Sequence, residues 1–121
     1  MNCASSLLKT DSPMTLSNQF DLILSGRMYN DLTPELIAAR EAAVRASNRY
    51  NASFGQPARD RETFLRDLLG QIGERVHLEP TFRCEFGKNI IIGDNFYANF
   101  DCIMLDGGGI EIGEEVLFGP R

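Results

Sequence analysis

With 121 residues, 43% of them hydrophobic and 24% charged, the chain has ordinary globular composition and room for one small domain, or for a cap plus part of another element. A net charge of −5 excludes a non-specific nucleic-acid binder, which would carry a basic patch. No apolar run approaches the roughly 18 residues that span a bilayer, so no membrane partner is expected.

The opening "MNCASSLLKTDSP" has one lysine and a short apolar pair, which is not a secretory signal, so residues 1–15 read as a disordered tail. Met14, followed by more regular sequence, is a second candidate start. The three cysteines, Cys3, Cys84 and Cys102, are an odd number without a secretory signal and read as free thiols in a reducing cytoplasm. Asn51-Ala52-Ser53 fits a glycosylation sequon, which carries no meaning in that compartment.

Residues 16–75 read as helices. "LSNQFDLILSG" offers Ser17 or Asn18 as N-cap and Gly26 as a stop. In "TPELIAAREAAVRASNRYN", Thr33 is the N-cap, Pro34 the first helical residue and Glu35 a first-turn acid, with Leu36, Ala39, Ala43 and Ala46 on one face. "ARDRETFLRDLLGQIG" gathers Phe64, Leu65, Leu68, Leu69 and Ile72 on a third helix that Gly70 and Gly73 end. Three short amphipathic helices make no core of their own, so their apolar stripes must rest on something else.

From about Val76 the period changes. Pro80, Phe86, Ile92, Ala98 and Met104 recur every six residues, and Cys84, Ile90, Phe96 and Cys102 form a second set. After a two-residue shift in "DGGGIEIG" the frame resumes at Ile112, Val116 and Phe118. Residues six apart fall on nearly opposite faces of a helix, and the consecutive Ile90, Ile91 and Ile92 break strand alternation. The period is that of a parallel β-helix built from hexapeptide repeats. In a triangular coil Cys84 and Cys102, 18 residues apart, stack as inward thiols, with neither a disulfide nor a metal expected. Glycine after the inward residue, as at Gly87 and Gly93, is expected to supply positive φ at corners.

"EPTFRCEFGKNIIIGDNFYANFDCIMLD", Glu79 to Asp106, resembles the maltose and galactoside O-acetyltransferases, the group that includes nodulation acetyltransferases. "LSGRMYNDLTPELIAAREAA" resembles their helical maltose-acetyltransferase cap. The resemblance implies an α+β chain: a helical cap (16–75) followed by the first coils of a left-handed parallel β-helix (76–121). It also implies a homotrimer with sites between subunits, and transfer of acetyl from acetyl-CoA to a hydroxyl of maltose, glucose or a galactoside. In that family, as the resemblance implies it, no covalent enzyme intermediate forms and a histidine serves as general base.

Carried onto this sequence, the acceptor-binding residues are Asp31 in "MYND", Glu85 in "RCEFG", Asn99 in "YANF" and Asp106 in the "LD" pair, although some members place that last carboxylate where this chain has Gly107. The family's catalytic His-Pro pair follows the equivalent of "LFGP" and has no counterpart here. The only histidine, His77, precedes the first clear repeat and reads as a packing or interface residue. The sequence is therefore expected to be a truncated or frameshifted member, inactive alone for want of the base and the CoA-binding coils. The alternative is a non-catalytic binding or assembly subunit that packs on a full-length paralogue.

Overall fold

The computed structural model describes residues 15–120; the expected tail before Thr15, with Cys3 and Met14, lies outside the described residues. Helix α1 spans Leu16–Leu24, α2 Pro34–Ala52 and α3 Ala58–Leu68. The N-cap of α1 is Thr15, not Ser17 or Asn18: its hydroxyl accepts from the Asn18 N–H at 3.1 Å, which places both expected caps inside the first turn. Helix α2 begins as its sequence predicts, with the Thr33 hydroxyl accepting from the Leu36 N–H at 3.2 Å and Pro34 at the first position. Its buried face carries Leu36, Ala43, Ser47 and Tyr50, with Ala39 and Ala46 half-buried beside them.

Helix α3 buries Leu65 and Leu68, and the chain then turns extended at Leu69. Ile72 is consequently an inward residue of a strand and not part of the helix face. Strand pairing takes over because the Gly70 N–H donates to the carbonyls of Gly87 and Ile90, both at 3.1 Å.

Eight short strands follow. The first coil holds β1 (Gln71–Ile72), β2 (Val76–Leu78) and β3 (Arg83–Cys84); the second holds β4 (Ile90–Ile92), β5 (Phe96–Ala98) and β6 (Ile103–Met104). A third begins with β7 (Ile110–Ile112) and β8 (Leu117–Phe118). They stack as three parallel sheets, β1-β4-β7, β2-β5-β8 and β3-β6, which is a parallel β-helix. The first strand precedes Val76, where the sequence period becomes visible.

Every ladder advances by the same 20 residues: Gln71 faces Ile91, Val76 faces Phe96, Arg83 faces Ile103, and Ile90 faces Ile110. The expected 18-residue stacking of Cys84 on Cys102 is therefore corrected, because Cys84 pairs with Met104. The inward residues Ile72, Leu78 and Cys84 are six apart, but the next step, to Ile92, is eight. The added corner residues bring Phe86 and Asp106 into the interior as extra buried side chains. Both thiols are nonetheless buried and unpaired; burial pushes Cys84 up to about 11 and raises Cys102 as well.

The corners also revise the role of glycine. Arg75, Asn95, Asp101 and Glu115 take positive φ although none is glycine. Gly93 does not; a Cβ there would sit 3.0 Å from the Gly113 carbonyl carbon, so this position is small to let successive coils approach. Gly87 does need its φ of +80°.

The cap closes the open edge of the first coil. The Tyr50 hydroxyl donates to the Leu78 carbonyl at 2.7 Å and accepts from the Leu78 N–H at 3.2 Å. The Asn51 amide donates to the Phe82 carbonyl at 3.1 Å and accepts from the Phe82 N–H at 3.0 Å. Two side chains of α2 thus make the bonds a neighbouring strand would make, which satisfies groups that otherwise form a sticky edge. One core runs from Tyr50, Leu65, Leu68 and Leu69 of the cap into Leu78, Phe82, Ile90 and Phe96 of the coils.

Removing the Tyr50 hydroxyl leaves both Leu78 groups without their partner, so Tyr50→Phe should lower stability by about 1–3 kcal/mol in urea denaturation. Burial pushes the Tyr50 phenol up to about 12 from an ordinary value of 10.0. The folded state therefore favours the protonated phenol, and the associated stability is present below pH 10 and lost as pH rises toward 12. Stability curves of wild type and Tyr50→Phe should converge over that window; parallel curves would show that Tyr50 does not titrate with unfolding.

Candidate functional site

The seam between cap and coils gathers charge. Asp31 ends the loop before the Thr33 cap, and Arg40 lies farther along the Leu36–Ala43 face of α2. Helical side chains lean toward the N-terminus, so the Arg40 guanidinium reaches back over that loop. It donates to the Asp31 carbonyl at 2.8 Å, to the Asp31 carboxylate, and through Nε to Glu85 Oε2 at 3.0 Å. Its carbon lies 4.9 Å from the centroid of the Phe86 ring, which in turn meets Phe20 of α1 edge-on at 5.0 Å. Burial pulls the guanidinium down, but the Glu85 and Asp31 hydrogen bonds and charges outweigh it and hold Arg40 above its ordinary value.

Two of the four expected acceptor residues, Asp31 and Glu85, are thus brought together by one cation. Arg40 itself is missing from the sequence reading; the available signal was a charged residue on the apolar stripe of α2, in phase with Leu36 and Ala43. Side-chain exposures of 24% for Arg40, 26% for Glu85 and 54% for Asp31 leave the cluster open to a ligand. The pair with the exposed Asp31 contributes little to stability, and the half-buried Arg40–Glu85 pair fixes the direction of its acceptors and donors. Space for Glu85 comes from Gly107, where an added Cβ would lie 3.1 Å from Glu85 Oε1.

Asp106 is placed differently from expectation. It is fully buried, with one oxygen accepting from the Phe86 N–H at 2.8 Å and the other from the Asn89 N–H at 3.1 Å. It fixes the corner that carries Glu85 and Phe86 and presents no exposed oxygen.

Asn99 is half-buried at a different corner, after β5, where its side-chain oxygen accepts from the Phe100 N–H at 2.8 Å. Among the described residues no hydrogen bond or ion pair joins it to the Arg40 cluster. His77 stacks on Tyr97 with ring centroids 5.4 Å apart, meets Phe54 edge-on, and shares a 2.7 Å hydrogen bond with Glu79. It packs on the β2–β5 face, away from the cluster. Among the described residues no helix is long and apolar enough to cross a membrane.

A helical cap sealed onto a stack of parallel coils defines the class of capped parallel β-helix proteins. The model of the maltose acetyltransferase hexapeptide capping motif matches residues 22–73. Nodulation protein L of Rhizobium meliloti (strain 1021) is 39% identical over 102 residues, covering 84% of this chain and 56% of its own. The maltose O-acetyltransferase of Clostridium difficile 630 superposes with a TM-score of 0.81 at 35% identity, over 91% of this chain and 57% of that one. A hexapeptide-repeat acetyltransferase of Vibrio cholerae O1 biovar eltor, solved with acetyl coenzyme A, gives 0.73 at 36% identity over 88% of this chain and 56% of that one. Over most of its length the chain is similar to these hexapeptide-repeat acetyltransferases with a maltose-acetyltransferase cap, and its coils are those of the left-handed parallel β-helix. It spans about half the length of the curated relatives it matches.

Proposed function

We propose that this chain carries the acceptor-binding half of a cytoplasmic sugar O-acetyltransferase that uses acetyl-CoA. The observation that carries the reading is the Asp31–Arg40–Glu85 cluster at the seam of a capped hexapeptide-repeat fold. Two carboxylates and a guanidinium offer acceptors and donors in fixed directions, which is what a sugar's hydroxyls require. Asp106 serves as a positioning residue by holding the Glu85–Phe86 corner.

Asn99 leaves the coil at another corner, so a small sugar touching both regions is best served by Asn99 of one protomer facing the cluster of a second. The exposed Ile103 and Leu105, on the face between those corners, support such a homo-oligomer, with a trimer as the family's arrangement. His77 is occupied in packing, and the sequence holds no other histidine, so the 121-residue chain alone should bind acceptor without turning it over. A non-catalytic assembly subunit is the second reading, favoured by the exposed Leu117 of β8.

Calorimetric titration with maltose and methyl galactoside tests the acceptor site. Arg40→Gln should weaken binding by roughly 10- to 100-fold, the range for loss of charged hydrogen bonds, while leaving the unfolding midpoint nearly unchanged. Unaltered sugar affinity in Arg40→Gln would remove the cluster from the acceptor site. Acetyl transfer by the purified 121-residue chain would overturn the claim that it lacks the general base.

A further inference from the structure

A cavity of about 140 Å³ opens between α3 and the corner that joins β1 to β2, lined by Tyr50, Arg61, Leu65, Ile72, Arg75 and His77 among others. It shares no residue with the Asp31–Arg40–Glu85 cluster. Liquid water takes about 30 Å³ per molecule, so the space holds about five heavy atoms. That is too small for a whole sugar and matches a tetrahedral oxyanion.

Two guanidinium groups of this lining have charge to spare. Among the described residues neither Arg61 nor Arg75 forms an ion pair, whereas Arg40 and Arg66 each meet two carboxylates. The Arg61 guanidinium carbon lies 4.6 Å from the centroid of the Phe54 ring, a contact that holds the charge in place without using an N–H donor. Arg75 donates through Nε to Asn95 Oδ1, which leaves its terminal nitrogens without a hydrogen-bond partner among the described residues.

The acids nearest this space are already engaged. Glu62 Oε2 accepts from Arg66 Nε at 3.0 Å and Nη2 at 2.9 Å, and Glu79 shares its hydrogen bond with His77. An entering anion thus meets two unpaired guanidinium groups, and Glu62, the carboxylate in the lining, is neutralised by Arg66. The backbone gives no competing reason for a cation at this corner. Arg75 has a φ of +57°, and Asn95 and Glu115 repeat that conformation one and two coils on; asparagine suits the left-handed region better than arginine does.

We propose that this cavity is an oxyanion site in which Arg61 and Arg75 hold a phosphate group between cap and first coil. Arginine forks match pairs of phosphate oxygens, which makes phosphate a better fit than a spherical ion such as chloride. Arg61 belongs to α3 and Arg75 to the β1–β2 corner, so the bound anion fastens the cap to the coils. Phosphate then raises the stability of the folded chain by mass action. The site stands apart from sugar binding and does not depend on it.

The test is a calorimetric titration of the full 121-residue chain with inorganic phosphate and with methyl phosphate, at constant ionic strength set by sodium chloride. Inorganic phosphate should bind with a Kd of about 1 mM or tighter, within reach of two charged donors. Arg61→Gln and Arg75→Asn should each weaken it at least about tenfold. Asparagine already occupies the same corner one coil on, so Arg75→Asn keeps the turn. Arg59→Gln removes a charge of α3 outside the cavity and should change affinity less than about twofold. Urea midpoints should rise with phosphate in the wild type and stay flat in Arg61→Gln and Arg75→Asn. A rise that chloride reproduces, or binding lost equally in Arg59→Gln, would reduce the effect to general screening and overturn the proposal. So would the absence of binding at about ten times the expected Kd. Methyl phosphate binding as tightly as the free ion would support a site for phosphomonoesters, and its exclusion would support one for inorganic phosphate alone. Maltose affinity should be the same in Arg61→Gln as in the wild type, so that failure of the oxyanion site and failure of the acceptor site are read separately.

Discussion

Gly87→Ala should destabilise the fold by at least about 3 kcal/mol, more than most single substitutions at a corner. Two effects combine there. The backbone φ of +80° is one that an L side chain adopts at a penalty of about 1–2 kcal/mol. The added Cβ would also press on the Leu68 carbonyl oxygen and come within 3.1 Å of Leu68 Cδ1 and 3.4 Å of Cys84 Sγ. Leu68 ends α3, and the Gly87 carbonyl accepts from the Gly70 N–H, so cap and coil cannot separate to relieve the overlap without losing that bond. Gly108→Ala is the matched control: it lies two residues beyond Asp106, its φ is not positive, and nothing lies within 4 Å of an added Cβ. It should stay within about 0.5 kcal/mol of wild type. Indistinguishable urea midpoints for the two variants would mean that the seam yields easily and that Gly87 is not required there.

Asp106→Ala should lower stability by about 2–5 kcal/mol, because two N–H groups lose a buried acceptor at once and each orphaned donor costs about 1–3 kcal/mol. Asp106→Asn keeps one oxygen but turns an amide N–H toward a second donor, so its loss should be intermediate. Hydrogen exchange locates the effect: the Phe86 and Asn89 amides should lose protection in Asp106→Ala while the Leu78 amide, held by Tyr50, keeps it. An unchanged unfolding midpoint in Asp106→Ala would contradict the structural role. Reduced sugar affinity in a fully stable Asp106→Asn would return this residue to direct acceptor contact.

The helix starts were legible where the cap chemistry is local. Thr33-Pro34-Glu35 fixes the start of α2 within four residues of sequence, whereas α1 starts at Thr15, ahead of the expected caps Ser17 and Asn18, with no proline or first-turn acid to mark it. The six-residue period was legible, but the coil length was not. Phe86, Ile92, Ala98 and Met104 keep an unbroken spacing of six that hides the eight-residue third segment, because Phe86 fills the frame without occupying a strand. The ladders, in which Cys84 pairs with Met104 and Gln71 with Ile91, reveal the longer coil.

Asp31 and Glu85 were singled out through short motifs of the family resemblance, yet the residue that joins them was not. Its place on the apolar stripe of α2 sets Arg40 apart from the other arginines of that helix, but its role depends on Glu85, which only the packing of α2 on β3 brings near. Asp106 was expected among the acceptor-binding residues from the "LD" pair, and its burial depends on backbone amides one coil earlier. The same holds for Tyr50 and Asn51, whose bonds to Leu78 and Phe82 are tertiary facts with no signature along the chain.

The constant register of the ladders has a bearing on how the molecule is made. Every strand ladder closes a loop of the same 20 residues, from Gln71 to Ile91 and again from Ile90 to Ile110. Loop-closure entropy rises only slowly with length, so each added turn meets nearly the same entropic barrier as the one before. Because α2 has already covered the first edge through Tyr50 and Asn51, a chain emerging in N-to-C order presents a single growing face. Assembly on the ribosome can then proceed as one-dimensional growth from a finished base, with each turn templating the next.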